Sequence, residues 1–232
     1  MRPLSFAADL FPDSVTVHAL HLDAPSDAHL TAFEGIALPE RLSTAVLKRR
    51  VEFLAGRYCA RAALRVHAPE VAEHAISSGE HREPLWPRGI VGAISHTHGY
   101  AAVAVARAGA LRGVGLDVER WVKPEAPATI GSHIARPGEL EALVTQSGWT
   151  APEALTLAFS AKESIYKCLF PEVRRYFGFH DAAVERVDAE RGTFVARLTV
   201  TLTGALPMGL ALEGRFERRH DVLVTALTLG HR

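Results

Sequence analysis

The sequence predicts an α+β protein of two halves that meet near residue 112. Three observations carry this expectation. Residues 42–66 hold no proline and read as one helix, residues 90–119 change to short runs with the period of strands, and after residue 139 helices come first and a strand meander follows. With 232 residues the chain can form one large domain or two small ones, since domains usually hold about 100 to 200 residues. The halves are set at residues 1–112 and 113–232.

Taken in order, residues 14–22 alternate Val15, Val17 and Ala19 with polar neighbours, as a half-buried strand does. The helix over 42–66 is basic at Lys48, Arg49, Arg50, Arg57, Arg61 and Arg65. Gly56 interrupts it at a cost of about 1 kcal/mol, which points to close packing or a nearby ligand. Residues 90–95 and 100–106 form a hairpin whose polar tip contains Gly99, and residues 113–119 give a third strand. Pro124, Pro127 and Pro137 bracket an expected loop before a helix over 139–147. A short helical run with Leu155 and Leu157 precedes a second helix over 160–170, and strands are expected at 193–202, 209–216 and 222–229.

Hydrophobic residues make up 48% of the chain and charged residues 22%, which excludes a disordered or fibrous protein. Lys plus Arg and Asp plus Glu each number 26. No global positive field exists to hold nucleic acid, so an anionic partner must meet a local cluster. The longest apolar run, residues 100–106, is far short of the ~20 residues a membrane-spanning helix requires, and stable membrane insertion is not expected. Residues 1–10 carry no secretory pattern, since Asp9 interrupts them. Cys59 and Cys168 are too few for a disulfide framework or a zinc site, so a cytoplasmic location is expected. A monomer is expected, though no residue pattern shows the oligomeric state.

Four clusters can carry chemistry. In Gly113-Val114-Gly115-Leu116-Asp117-Val118-Glu119, strand geometry sends the apolar side chains to one face and Asp117 and Glu119 to the other. Two such carboxylates can converge on a hard cation, and Gly113 and Gly115 leave room for a bulky ligand. A solvated strand face is the plainer reading of this segment by itself. In Phe159-Ser160-Ala161-Lys162-Glu163-Ser164-Ile165-Tyr166-Lys167, Ser160 and Glu163 fit a capping box, and Glu163 and Lys167 an i, i+4 ion pair. The same helical face could offer a third carboxylate and an ammonium to a metal-bound phosphate.

The third cluster is Gly92-Ala93-Ile94-Ser95-His96-Thr97-His98 at the hairpin tip. Two histidines alternating on a strand lack the further ligands zinc requires, whereas Ser95 and His96 can both donate to an anion. His98 reads as a surface or packing residue. The fourth is the basic helix, where Arg50 and Arg57 lie two turns apart on one face, with Arg82 further along in Arg82-Glu83-Pro84-Leu85-Trp86-Pro87. Guanidinium groups suit a bidentate phosphate grip, and solvated arginines are the common alternative.

In this order and combination the residues resemble the 4′-phosphopantetheinyl transferases of the Sfp/EntD type. The resemblance rests on Gly115-Leu116-Asp117-Val118-Glu119 and on the segment from Phe159 to Lys167, with Glu163 following Asp117 by 46 positions. Phe53-Leu54-Ala55-Gly56-Arg57 and Trp86-Pro87 leading into Ile94-Ser95-His96 look like the siderophore-associated EntD branch. Ala93 departs from the pattern, standing where a serine is frequent.

The resemblance implies the family's fold, a pseudo-twofold pair of α/β subdomains with the active site in the cleft between them. It implies Mg²⁺, or Mn²⁺ in its place, held by Asp117, Glu119 and Glu163. Coenzyme A would be bound by Arg50, Arg57, Arg82, Ser95, His96, Lys162 and Lys167, with His96 near the 3′-phosphate. The implied partner is an apo carrier protein of aryl, peptidyl or acyl type. Glu163, directly or through a metal-bound water, would take the proton of the carrier serine, and Lys167 would stabilise the departing 3′,5′-ADP. Arg174, Arg175 and Phe177 are candidates for the carrier-facing surface, or else an ordinary solvated loop. Two other classes use similar residues: a coenzyme A or nucleotide binding module, and a Mg²⁺-dependent phosphohydrolase.

Overall fold

The computed structural model describes residues 1–7, 9–22 and 24–231. Its first sheet holds β1 (Arg2–Leu4), β2 (Val15–His21), β3 (Ile90–Thr97) and β4 (Tyr100–Arg107) in the order β1-β2-β4-β3, all antiparallel. A short α1 (Asp27–Ala32) and a long α2 (Leu47–His67) come between its second and third strands. The second sheet holds β5 (Gly113–Arg120), β6 (Ala182–Asp188), β7 (Thr193–Leu198), β8 (Ala211–Arg218) and β9 (Val222–Leu229) in the antiparallel order β5-β9-β8-β7-β6. Between β5 and β6 lie α3 (Ala126–Ile134), α4 (Glu139–Ser147) and α5 (Ala151–Val173). The architecture is α+β, with one long helix packed on a sheet in each half.

Apolar spacing explains both helix-on-sheet layers. In α2, Val51, Leu54, Ala55, Cys59, Ala63 and Leu64 recur every three or four positions and bury against Leu20, Ala101, Val103 and Val105. In α5, Leu155, Ala158, Ile165 and Leu169 do the same against Phe194, Leu198, Leu223 and Leu227. Each leucine so buried contributes roughly 1.5–3 kcal/mol. A third core joins the halves: Ala102, Ala104 and Ala106 of β4 meet Val114, Leu116 and Val118 of β5 and Val222, Val224 and Ala226 of β9. At its rim the Tyr100 hydroxyl donates to both carboxylate oxygens of Asp221, at 2.7 and 2.9 Å.

Several elements differ from the sequence-based expectation. The segment bracketed by prolines contains α3, because Pro127 falls in its first turn, where a missing N–H leaves no bond unmade. The two expected helical runs near 155 and 160–170 are one helix, α5. Its capping box is Thr150 with Glu153, whose Oε2 accepts from the Thr150 amide and hydroxyl at 2.9 and 2.8 Å, so Ser160 is mid-helix and caps nothing. The helix expected from residue 42 begins at Leu47, after a single 3-10 turn at Glu40–Leu42. Strands β1 and β6 and helix α1 were not anticipated.

The glycines of β5 also play a different part from the one expected. A Cβ at Gly113 would lie 2.2 Å from the Cys168 carbonyl oxygen, and one at Gly115 would lie 2.1 Å from that of Ser164. They admit the backbone of α5 rather than a ligand. Gly56 likewise brings α2 onto β3, since a Cβ there would meet Ile94 Cγ2 at 2.9 Å. No helix among the described residues is long and apolar enough to cross a membrane.

Candidate active site

The contact of α5 with β5 brings the two acidic motifs together. Asp117 is buried, and its neighbours come from both halves. Oδ1 accepts from the Ser95 hydroxyl of β3 at 2.8 Å and from the Lys167 ammonium at 2.7 Å. Oδ2 accepts from the Ser160 hydroxyl at 2.8 Å. Ser95 Oγ in turn accepts from the Val118 amide and from Lys167 Nζ, both at 3.1 Å. Two residues further along the same pair of strands, Thr97 of β3 donates to Glu119 Oε1 of β5 at 3.3 Å.

The three acids influence one another. Burial, reinforced by the negative charge of Asp117, pushes the Glu119 carboxyl above the usual range, against the hydrogen bonds from the Arg120 amide and Thr97. Burial also raises Glu163, where Asp117 adds to the shift and Lys167 opposes it. Glu163 has no hydrogen-bonded partner among the described residues. The expected Glu163–Lys167 ion pair is not formed, since the ammonium lies on Asp117 instead.

This donor set suits a hard divalent cation in kind: three carboxylates, all oxygen donors, two of them disfavoured as anions where they stand. The side chains do not yet converge, and among the described residues no three His, Cys, Asp or Glu groups form a ready metal cage. Lys167 supplies the compensating positive charge at Asp117.

Glu163 and Lys167 open into a cleft of about 340 Å³ between the halves, lined also by Arg82, Trp86, Tyr166, Phe170 and Arg174. Arg82 has φ of 67° in the turn closed by the Gly79 amide and the Glu83 carbonyl oxygen, at 2.9 Å. A left-handed arginine is uncommon and costs on the order of 1 kcal/mol, a form of strain concentrated at ligand sites.

On the opposite face of β3, His96 turns towards α2. Its Nε2 lies 3.2 Å from an Arg49 guanidinium nitrogen, and its Nδ1 lies 3.8 Å from the buried Glu52 carboxylate. Burial, then the charges of Arg49, Lys167 and Arg57, pull His96 down to about 4, with Asp117 acting the other way. It is neutral at pH 7, so Nε2 accepts the Arg49 hydrogen bond. Arg49 rather than Arg50 therefore meets this strand. Arg50 is half-buried, and its Nε has no partner.

Two expected coenzyme ligands are placed elsewhere. Lys162 is buried, donating to Glu139 Oε2 at 2.8 Å and to the Ile134 carbonyl oxygen at 2.7 Å. This corrects its expected position beside Lys167: five residues along a helix put the two ammonium groups on different faces. Arg57 is buried on the Phe53 ring, 4.6 Å from its centroid, and Nε donates to the Ile76 carbonyl oxygen at 2.6 Å. Its charge is felt at His96, while part of its fork holds the loop at 76–78. Phe177, a candidate for the carrier surface, is buried in the second core, and Arg175 donates to the Leu202 carbonyl oxygen at 3.1 Å.

Sequence reasoning missed Thr225. It is the cross-strand partner of Asp117 on β9 and is fully buried. A lone threonine in an apolar strand carries no signal; only the strand register brings it to the site.

Comparison with known proteins accords with this geometry. The family model described as 4′-phosphopantetheinyl transferase N-terminal domain matches residues 38–106, and that of the 4′-phosphopantetheinyl transferase superfamily matches residues 113–206. The 4′-phosphopantetheinyl transferase Npt of Nocardia iowensis is 33% identical over 94% of this chain and 91% of its own. PptT of Mycobacterium tuberculosis is 35% identical, covering 83% and 86%. Enterobactin synthase component D of Salmonella typhi is 35% identical, covering 77% and 74%. The chain belongs to the 4′-phosphopantetheinyl transferase family and is a transferase.

Proposed function

We propose that the protein transfers the 4′-phosphopantetheine group of coenzyme A to a serine of an apo carrier protein and releases 3′,5′-ADP. Relatives named for enterobactin synthase favour an aryl or peptidyl carrier of siderophore synthesis, within the wider set of nonribosomal peptide and polyketide carriers. The observation that carries the reading is the juxtaposition of an unpartnered Glu163, Lys167 and Arg82 around one cleft, with Asp117 held behind it on the Lys167 ammonium.

Asp117, Glu119 and Glu163 would hold a divalent ion, Mg²⁺ or Mn²⁺. When bound, it supplies charge neutralisation and orientation to the pyrophosphate. Glu163 accepts the proton of the carrier serine, a role suited to a carboxyl whose pKa burial raises. The serine oxygen forms the new bond to phosphorus as the bond to the bisphosphate oxygen breaks. Lys167, already within the cluster, moves its charge to the departing 3′,5′-ADP. Arg49 and His96 offer donors to the 3′-phosphate, with Arg50 and Arg82 adding positive charge, Arg57 acting through the charge felt at His96, and Ser95 placing Lys167.

Incubation with coenzyme A, Mg²⁺ and an apo carrier tests this by mass spectrometry. The carrier gains about 340 Da, the mass of a phosphopantetheinyl group. Coenzyme binding without a gain would point to a binding module, and free phosphopantetheine without a modified carrier to a hydrolase.

A further inference from the structure

Beneath Asp117 three buried hydroxyls form a chain. Ser164 Oγ lies 2.6 Å from Thr225 Oγ1, Thr225 Oγ1 lies 2.9 Å from Ser160 Oγ, and Ser160 Oγ lies 2.8 Å from Asp117 Oδ2. All three residues are 0% exposed. Proton counting fixes the end of the chain at Asp117. An ionised carboxylate only accepts, so the single Ser160 proton goes to Asp117. Thr225 Oγ1, 2.9 Å from Ser160 Oγ and 2.6 Å from Ser164 Oγ, is the hydroxyl that links the two serines. Ser160 and Ser164 are one turn apart on α5, and Thr225 faces Asp117 across the β5–β9 ladder. The Thr225 hydroxyl donates to the Ser160 carbonyl oxygen at 2.8 Å, and the Ser164 hydroxyl donates to that of Thr225 at 3.1 Å.

We infer that Thr225 is a positioning residue: its hydroxyl fixes Ser160 as a donor to Asp117 Oδ2 and so holds the carboxylate plane in which Oδ1 faces Lys167, Ser95 and the cleft. Polar groups buried this deeply are unfavourable unless satisfied, and the Thr225 hydroxyl touches both the hydroxyl and the carbonyl oxygen of Ser160. Without the Thr225 hydroxyl, Ser160 loses the contacts that hold its hydroxyl and carbonyl oxygens, and Oγ is free to turn away from Asp117. Asp117 then loses the bond that fixes its second oxygen, while Lys167 and Ser95 hold only the first.

The effect on a divalent ion rests on the metal role proposed above for Asp117, and the test separates the two. Thr225→Val keeps the shape and removes the hydroxyl; Thr225→Ser keeps the hydroxyl. Mn²⁺ binding in the presence of coenzyme A is followed by electron paramagnetic resonance, alongside melting temperature, kcat and KM. For Thr225→Val, Mn²⁺ affinity and kcat are expected to fall about tenfold, as is usual when the support of a metal ligand is removed, with a smaller change in KM for the carrier. Thr225→Ser restores both to within about twofold. If Thr225→Val fails to fold, Ser164→Ala, which removes only the hydroxyl furthest from Asp117, must show the same losses in smaller degree. Wild-type affinity and kcat in both variants would overturn the inference whatever their melting temperatures. If the wild-type protein takes up no Mn²⁺, the metal assignment fails instead, and the positioning role is decided by whether kcat falls in Thr225→Val and returns in Thr225→Ser.

Discussion

Lys167 Nζ lies 2.7 Å from Asp117 Oδ1 and ties the longest helix to the edge strand of the second sheet. Ser95 Oγ, 3.1 Å from the same ammonium, brings in the edge strand of the first. One ion pair thus draws on both halves. Asp117 is buried, while Lys167 stays open enough to move.

Lys167→Met leaves the Asp117 carboxylate without its charge partner. Since the lysine is partly solvated, the cost expected is about 1–3 kcal/mol, below that of breaking a fully buried pair. Urea denaturation measures it. Transfer falls at the same time, by at least about a hundredfold if the ammonium also stabilises the leaving group.

Glu163→Gln should stabilise the metal-free protein at neutral pH while removing transfer. Burial raises Glu163 in the folded state, so folding takes up a proton as pH rises above the ordinary carboxylate value, and stability falls across that window. A neutral amide escapes the penalty. Melting curves in a chelator should place the variant above wild type at pH 7, with the gap closing below about pH 4, where both forms of the acid are protonated. A lower melting temperature at pH 7 would contradict the electrostatics described here.

His96 gives the opposite dependence. Its folded value of about 4 lies below the ordinary 6.5, so the unfolded chain binds a proton first as pH falls. The associated stability is whole above about pH 6.5, declines through that range and is lost below about pH 4. His96→Gln should flatten this part of the stability profile, and an NMR titration of the imidazole reads the value directly.

Lys162→Met tests the corrected placement of that residue. Its ion pair with Glu139 has side chains only 2% and 4% exposed, so breaking it should cost about 3–5 kcal/mol. Glu139 is further fixed by the Arg136 and Val184 amides, each at 2.8 Å. Stability should fall while KM for coenzyme A stays unchanged. A stable variant with raised KM would return Lys162 to the coenzyme.

The acidic pair on β5 was legible because period-two alternation is local, and Glu163 and Lys167 because helical spacing is local too. Their neighbours were not. Ser160 looked like a cap because its spacing to Glu163 is that of a capping box, yet α5 begins at Ala151 and the serine serves Asp117. Gly113 and Gly115 looked like space for a ligand, and the space is filled by a helix backbone whose approach no local pattern encodes. Arg49 was passed over for Arg50, since choosing between adjacent helical positions requires knowing where β3 lies. Thr225, distant in sequence, reaches the site through strand pairing alone.

The account turns on Asp117, Glu119 and Glu163 sharing one ion beside the cleft. Anomalous scattering from crystals grown with Mn²⁺ and coenzyme A measures this directly. The account predicts one manganese peak in contact with oxygens of all three side chains and of the coenzyme pyrophosphate, with Lys167 moved off Asp117 towards the phosphates. A peak held away from Glu163, or no peak between the carboxylates and the pyrophosphate, would contradict it.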